Sequence, residues 1–194
     1  EPTAQSEALI RLAEKQSELD LINDARDTFI NAFNVAKSIG DNFYRPELLA
    51  KIIDRMAKVK LFSEALQLTT QIESESDRIT AYASIAMYQA SSNLFDEAKH
   101  TLRRVTIPHL RLSALSALSI NQASCGLFAD SLQTAQQIQK TDALYDKTVS
   151  FVAEKMGEAH DFKGAVRTAQ LLDSLYTRAE LLGSIACKQK SSGE

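Results

Sequence analysis

Residues 126–138 read GLFADSLQTAQQI, and four of them, Phe128, Ser131, Ala135 and Ile138, decide the fold. Steps of three, four and three place these positions on one stripe of a helix. The same stripe stands upstream as Phe62–Ala65–Thr69–Ile72 and Phe95–Ala98–Leu102–Val105, and downstream as Phe162–Ala165–Ala169–Leu172. The four Phe residues are 33, 33 and 34 positions apart. A fixed period in the thirties marks stacked helical repeats, in which no unit can bury its apolar stripe alone.

Each repeat has a first half. Ten and nine residues before each Phe stands an apolar residue followed by a mostly small one: Ile52–Ile53, Ile85–Ala86, Leu118–Ser119 and Val152–Ala153, continued by Ile185–Ala186. Thirteen before it come Leu49, Tyr82, Leu115 and Val149, with Leu182 at the matching place. At the N-terminus Leu9, Leu12, Ala13, Ile22 and Ala25 fit the same template, with Ile22 in place of Phe. Ile22 lies 40 residues before Phe62, so the first unit carries seven extra residues, two helical turns. Phe29, Ala32, Phe33, Ala36 and Ile39 continue its stripe and predict a lengthened second helix.

The punctuation agrees with two helices per unit. Lys60-Leu61, Asn93-Leu94 and Cys125-Gly126-Leu127 read as tight turns inside units. Asp41, Ser74, Thr141 and Ser174 recur between units, where a side-chain oxygen can accept from the open amides of the next helix. Pro108 serves the third junction, and Pro46 places the second unit's first helix near Arg45. The Phe anchors are expected to be buried at the turns. The expected fold is all-α, a right-handed α–α superhelix of about eleven helices, in one domain spanning 1–194 with about five and a half units.

These positions resemble the tetratricopeptide repeat, a helix–turn–helix unit of 34 residues with a small residue in each helix, twelve apart. The pairs here are Ala13/Ala25, Ile53/Ala65, Ala86/Ala98, Ser119/Ser131 and Ala153/Ala165. The resemblance implies a non-enzymatic scaffold that binds a peptide, a partner helix or a second copy on the concave face formed by the first helices. Carried over to this sequence, the centre of that surface is Ala83, Met87, Ala90, Ser116, Ile120 and Ala123, small and apolar. Its flanks hold Glu7, Glu14, Glu47, Asp54, Glu154 and Glu180. Residues 126–132 also look like the pentatricopeptide repeat, which keeps an RNA-binding array as the alternative; a helical accessory domain of a larger enzyme is another.

The bulk numbers narrow the choice. The 194 residues carry a net charge of −3, a pI near 5.7, six Gly, three Pro and no Trp. No basic cluster offers phosphate contacts, so nucleic acid is not the expected partner. No apolar run approaches the ~18 residues of a membrane span. Cys125 and Cys187 have neither CxxC nor His spacing, and His100, His109 and His160 lie in different units. No phosphate loop, zinc motif or calcium loop is present, so no catalytic residue, metal or cofactor is assigned. Glu73, Glu75 and Asp77 read as a solvated turn.

Two columns stay open at this stage. Gln16, Gln89, Gln122 and Gln189 share one repeat position, with Met56 and Met156 in the other units. They form either a polar ladder for a ligand's backbone or buried amides satisfied within the array. Arg45, Arg78, Arg111 and Arg178 share another, where the fourth Phe-anchored copy has Tyr145. These are expected to bridge to acids such as Asp77 or Asp54. The chain opens on Glu-Pro-Thr rather than Met, so a piece of a longer or processed chain is expected. A targeting segment upstream stays open, with the cytoplasm as default.

Overall fold

Every first half forms a long helix and every second half a shorter one, and the turn between them repeats almost bond for bond. The computed structural model describes residues 1–41 and 44–193. Among them are eleven helices: α1 (Pro2–Glu18), α2 (Ile22–Lys37), α3 (Tyr44–Lys58), α4 (Phe62–Thr69), α5 (Glu75–Ser91), α6 (Phe95–Leu102), α7 (Pro108–Ser124), α8 (Phe128–Ala135), α9 (Ala143–Glu158), α10 (Phe162–Ala169) and α11 (Leu175–Ser192). Among the described residues the fold is all-α, five helix–turn–helix pairs followed by α11. The lengthened helix is α2, with 16 residues against eight in α4, α6, α8 and α10. Its extra turns bury Phe29, Ala32, Phe33 and Ala36 completely.

The intra-unit turn is a Schellman motif. Leu61 N–H donates to Met56 O at 2.9 Å while Lys60 N–H donates to Ala57 O at 3.0 Å. The same two bonds join Leu21 and Asp20 to Gln16 and Ser17, Leu127 and Gly126 to Gln122 and Ala123, and Asp161 and His160 to Met156 and Gly157. The residue two before each anchor therefore has positive φ: Asp20, Lys60, Asn93, Gly126 and His160. Only one of the five is the glycine that this left-handed conformation favours.

Between units, side chains start the helices. Ser74 and Ser174 cap α5 and α11, accepting from Asp77 N–H and Thr177 N–H at 3.3 Å. Asp41 accepts from Tyr44 N–H at 3.1 Å, and α3 starts one residue earlier than Pro46 alone suggests. The fourth junction departs from expectation. Asp142, not Thr141, caps α9 and accepts from Leu144 N–H at 2.8 Å, because a carboxylate reaches the first-turn amides from the extended backbone next to the helix.

The Arg column also finds other partners than Asp77 and Asp54. Arg78 donates to Ile72 O at 2.9 Å, and Arg178 Nε donates to Leu172 O at 2.9 Å. Both acceptors are carbonyls of chain leaving the preceding short helix, where C=O groups have no helical donor. Arg45 does reach a carboxylate, that of Glu73, at 3.8 Å.

Two compact units are present, residues 1–92 with 96–110, and 93–95 with 111–194. In the first, α3 packs against α1, α2, α4 and α5, and α4 also packs on α5. In the second, α9 packs against α8, α10 and α11, and α10 also packs on α11. Within each, a short second helix wedges between successive first helices.

The anchors are less buried than expected. Phe162 is 6% exposed, but Phe62, Phe95 and Phe128 are only half-buried. Each opens its helix, and a first-position side chain lies at the rim of the pair, covered on one side. The deepest positions are three and ten residues on. Ala65, Ala98, Ser131 and Ala165 are fully buried, and Ile72, Val105, Ile138 and Leu172 nearly so.

Candidate functional site

Where its residues are polar, the twelve-residue spacing carries side-chain hydrogen bonds between the two helices of a pair. In the fourth helix pair Ser119 Oγ donates to Ser131 O at 2.9 Å and Ser131 Oγ to Ser119 O at 2.8 Å. The Gln column follows the same spacing. Thr101 Oγ1 donates to Gln89 Oε1, and Thr134 Oγ1 to Gln122 Oε1, both at 2.8 Å. Where the column holds Met156, Thr168 Oγ1 lies 3.2 Å from its Sδ. Where it holds Met56, the residue twelve on is Leu68, and both belong to one buried apolar cluster. The Gln89 and Gln122 amide oxygens thus clasp the two helices of a pair, while Gln16 Oε1 and Gln122 Nε2 are buried without a hydrogen-bond partner. Sequence reading found the Gln column and overlooked the Thr twelve residues later, a signal present at Thr101, Thr134 and Thr168.

Of the six residues expected at the centre of the partner surface, two reach solvent. Met87 on α5 is 36% exposed, and Ile120 on α7 is half-buried. Ala83 and Ala90 on α5 and Ser116 and Ala123 on α7 are buried. Ser116 shares a 2.7 Å hydrogen bond with Thr148, so α9 covers it.

In the first compact unit a run of open recesses lies along the seam of α1 and α3. Recesses of about 180, 240 and 280 Å³ follow one another there. Glu7, Glu14 and Glu47, flanking positions in the sequence reading, line them together with Arg11, Lys51 and Lys60. Lys51 Nζ pairs with Glu7 at 3.4 Å, and Arg55 pairs with Glu14 at 3.3 Å. Asp54 accepts from Ser84 Oγ at 2.5 Å, tying α3 to α5. Tyr88 stands beside this group. Burial raises its phenol above the usual value, the charge of Asp54 adds to the rise, and Arg55 opposes it. Lys51 and Arg55 escaped the sequence reading, although they stand four apart on α3, facing acids seven apart on α1.

The flanking acids are thus mostly occupied. Glu180 accepts from Tyr176 Oη at 2.8 Å, whereas Glu47 and Glu154 are exposed. Among the described residues no cluster of three or more His, Cys, Asp or Glu side chains is placed to hold a metal ion. No described helix is long and apolar enough to cross a membrane.

No family model matches the chain, and no curated protein matches it. Among solved structures it is similar to a Podospora anserina chain of kinesin-light-chain type with nearly identical TPR-like repeats. That match has 11% sequence identity and a TM-score of 0.44, and it covers 99% of this chain and 98% of the other.

Proposed function

We propose that the chain is a non-enzymatic scaffold for protein–protein interaction, taking a peptide or partner helix on the face of its first helices. This is the concave binding face in solenoids of helix pairs. The supporting observation is the α1–α3 seam, where consecutive recesses are lined by paired but solvent-reached charges. Exposed pairs of this kind contribute about 0–1 kcal/mol each. An incoming peptide can therefore exchange Lys51 or Arg55 from Glu7 or Glu14 to its own groups at little cost. In the same compact unit Met87 on α5 supplies exposed apolar area, and its sulfur adapts to irregular partners.

The test is selection of peptide ligands against the purified chain, followed by Met87→Glu and Lys51→Glu variants. The selected peptide is expected to lose about tenfold or more in affinity, a change of ~1.4 kcal/mol, with helicity unchanged. Failure to select any peptide, or salt-dependent binding of single-stranded RNA instead, would overturn the reading in favour of self-association or of an RNA array.

A further inference from the structure

The third junction between helix pairs is built differently from its neighbours. Ser74 and Ser174 stand twelve residues after Phe62 and Phe162, and their hydroxyls cap α5 and α11. Twelve after Phe95 comes Ile107, which has no side-chain oxygen; the nearest hydroxyl is one residue earlier, on Thr106. Thr106 is exposed on the non-helical stretch between α6 and α7, while Val105 is buried and Ile107 half-buried. Arg103 and Arg104, the only adjacent arginines of the chain, stand three and two residues before it, and both are exposed. Tyr82 accounts for Arg104, whose guanidinium donates to Tyr82 Oη at 3.0 Å and lies 5.2 Å from the ring centroid. Arg103 takes no part in that contact. The order Arg-Arg-Val-Thr-Ile thus sets two guanidinium groups and an apolar side chain around an exposed hydroxyl. Protein kinases select substrates by such charge patterns, and one whose substrate groove is acidic fits this segment.

We propose that Thr106 is a phosphorylation site for an arginine-directed protein kinase, and that phosphate there steadies the opening turns of α7. In the step itself Thr106 Oγ1 attacks the γ-phosphorus of a magnesium-bound nucleoside triphosphate. The new O–P bond replaces the bond to the β–γ bridging oxygen, the nucleoside diphosphate departs, and the hydroxyl proton passes to the kinase's carboxylate base. The buried Val105 side chain is released for this as the end of α6 frays. That helix has only eight residues, and Arg103 N–H reaches His100 O at 3.3 Å. The product carries about −1.5 to −2 charges at neutral pH. It stands two residues before Pro108, ahead of the positive end of the α7 dipole, and close in sequence to Arg103 and Arg104. The site is independent of the α1–α3 seam and of any partner taken there.

The test incubates the folded 194-residue chain with magnesium-ATP and the catalytic subunit of cyclic-AMP-dependent protein kinase, and maps the phosphate by mass spectrometry. One phosphate per chain is expected, on Thr106. Thr106→Ala should take up none, and Thr106→Ser should take it up again. Arg103→Ala should lower kcat/KM about tenfold or more, the worth of a hydrogen bond to a charged group. Arg103 is exposed, so this variant keeps the test valid should changes at Thr106 disturb the junction. In the modified chain, amide exchange over the first two turns of α7 should slow about two- to fivefold, as for an anion added at a helix N-terminus. Three results would overturn the proposal: no phosphate on the folded chain, phosphate that Thr106→Ala leaves in place, or a Thr106 phosphate that leaves exchange in α7 unchanged.

Discussion

Lys60 occupies a left-handed backbone position, φ 67°, that its counterpart Gly126 occupies without a Cβ. An L-residue there carries about 1–2 kcal/mol of steric cost, offset in part by the greater unfolded-state freedom of glycine. Lys60 is exposed, so Lys60→Gly should stabilise the chain by about 0.5–1 kcal/mol, read as a higher urea midpoint. His160 is a less clean site, since its ring packs edge-on against Phe162 at 5.7 Å. Tyr145 makes a second case of one column differing in one unit. It stands where other units have Arg, and it is buried; burial raises its phenol, and the charges of Asp173 and Asp146 raise it further. A folded value above the unfolded one means the stabilisation is complete below the unfolded pKa of ~10 and lost as pH rises through the folded value. Stability should therefore fall above pH ~10, and Tyr145→Phe should flatten that limb of a pH series of urea melts.

Helix ends are where element-scale reading of the chain succeeded in kind and slipped in detail. The pairs, their order and the long α2 were legible because apolar period and turn residues depend on local sequence alone. Caps depend on which of two adjacent oxygens reaches an amide, and Thr141 next to Asp142 offers both. The structure chooses Asp142, so Asp142→Ala should cost ~1 kcal/mol and Thr141→Ala should fall within about 0.5 kcal/mol. Equal losses would restore Thr141 as the cap. The Thr101–Gln89 and Thr134–Gln122 clasps, and the Arg78 and Arg178 bonds to carbonyls, escaped for a related reason. Their partners are fixed by how helices pack, and a column of like residues does not name its acceptor. The candidate site was legible at its margins: Glu7 and Glu14 line recesses, while four of the six central residues are buried because neighbouring helices close over small side chains.

In an array each unit is stabilised by its neighbours, so the same residue at the same repeat position should matter differently along the molecule. The column ten before each anchor shows this. Ile52 and Ile85 are 0% exposed, but Leu12 is 49% exposed. The chemistry of the three is alike; what differs is the preceding short helix. α2 lies against α3 and α4 against α5, and Leu12 stands outside the buried cluster that holds Ile52 and Ile85. Apolar area left in water contributes nothing when removed, whereas a fully buried Ile leaves a cavity as well as losing its transfer energy. Leu12→Ala should therefore shift stability by no more than about 0.5 kcal/mol, the range for surface substitutions. Ile52→Ala and Ile85→Ala should each cost about 2–5 kcal/mol. Urea unfolding followed by far-ultraviolet circular dichroism compares the three directly. A large loss at Leu12 would mean that a helix covers α1 in solution. Small losses at Ile52 and Ile85 would show that the repeat columns do not carry the core.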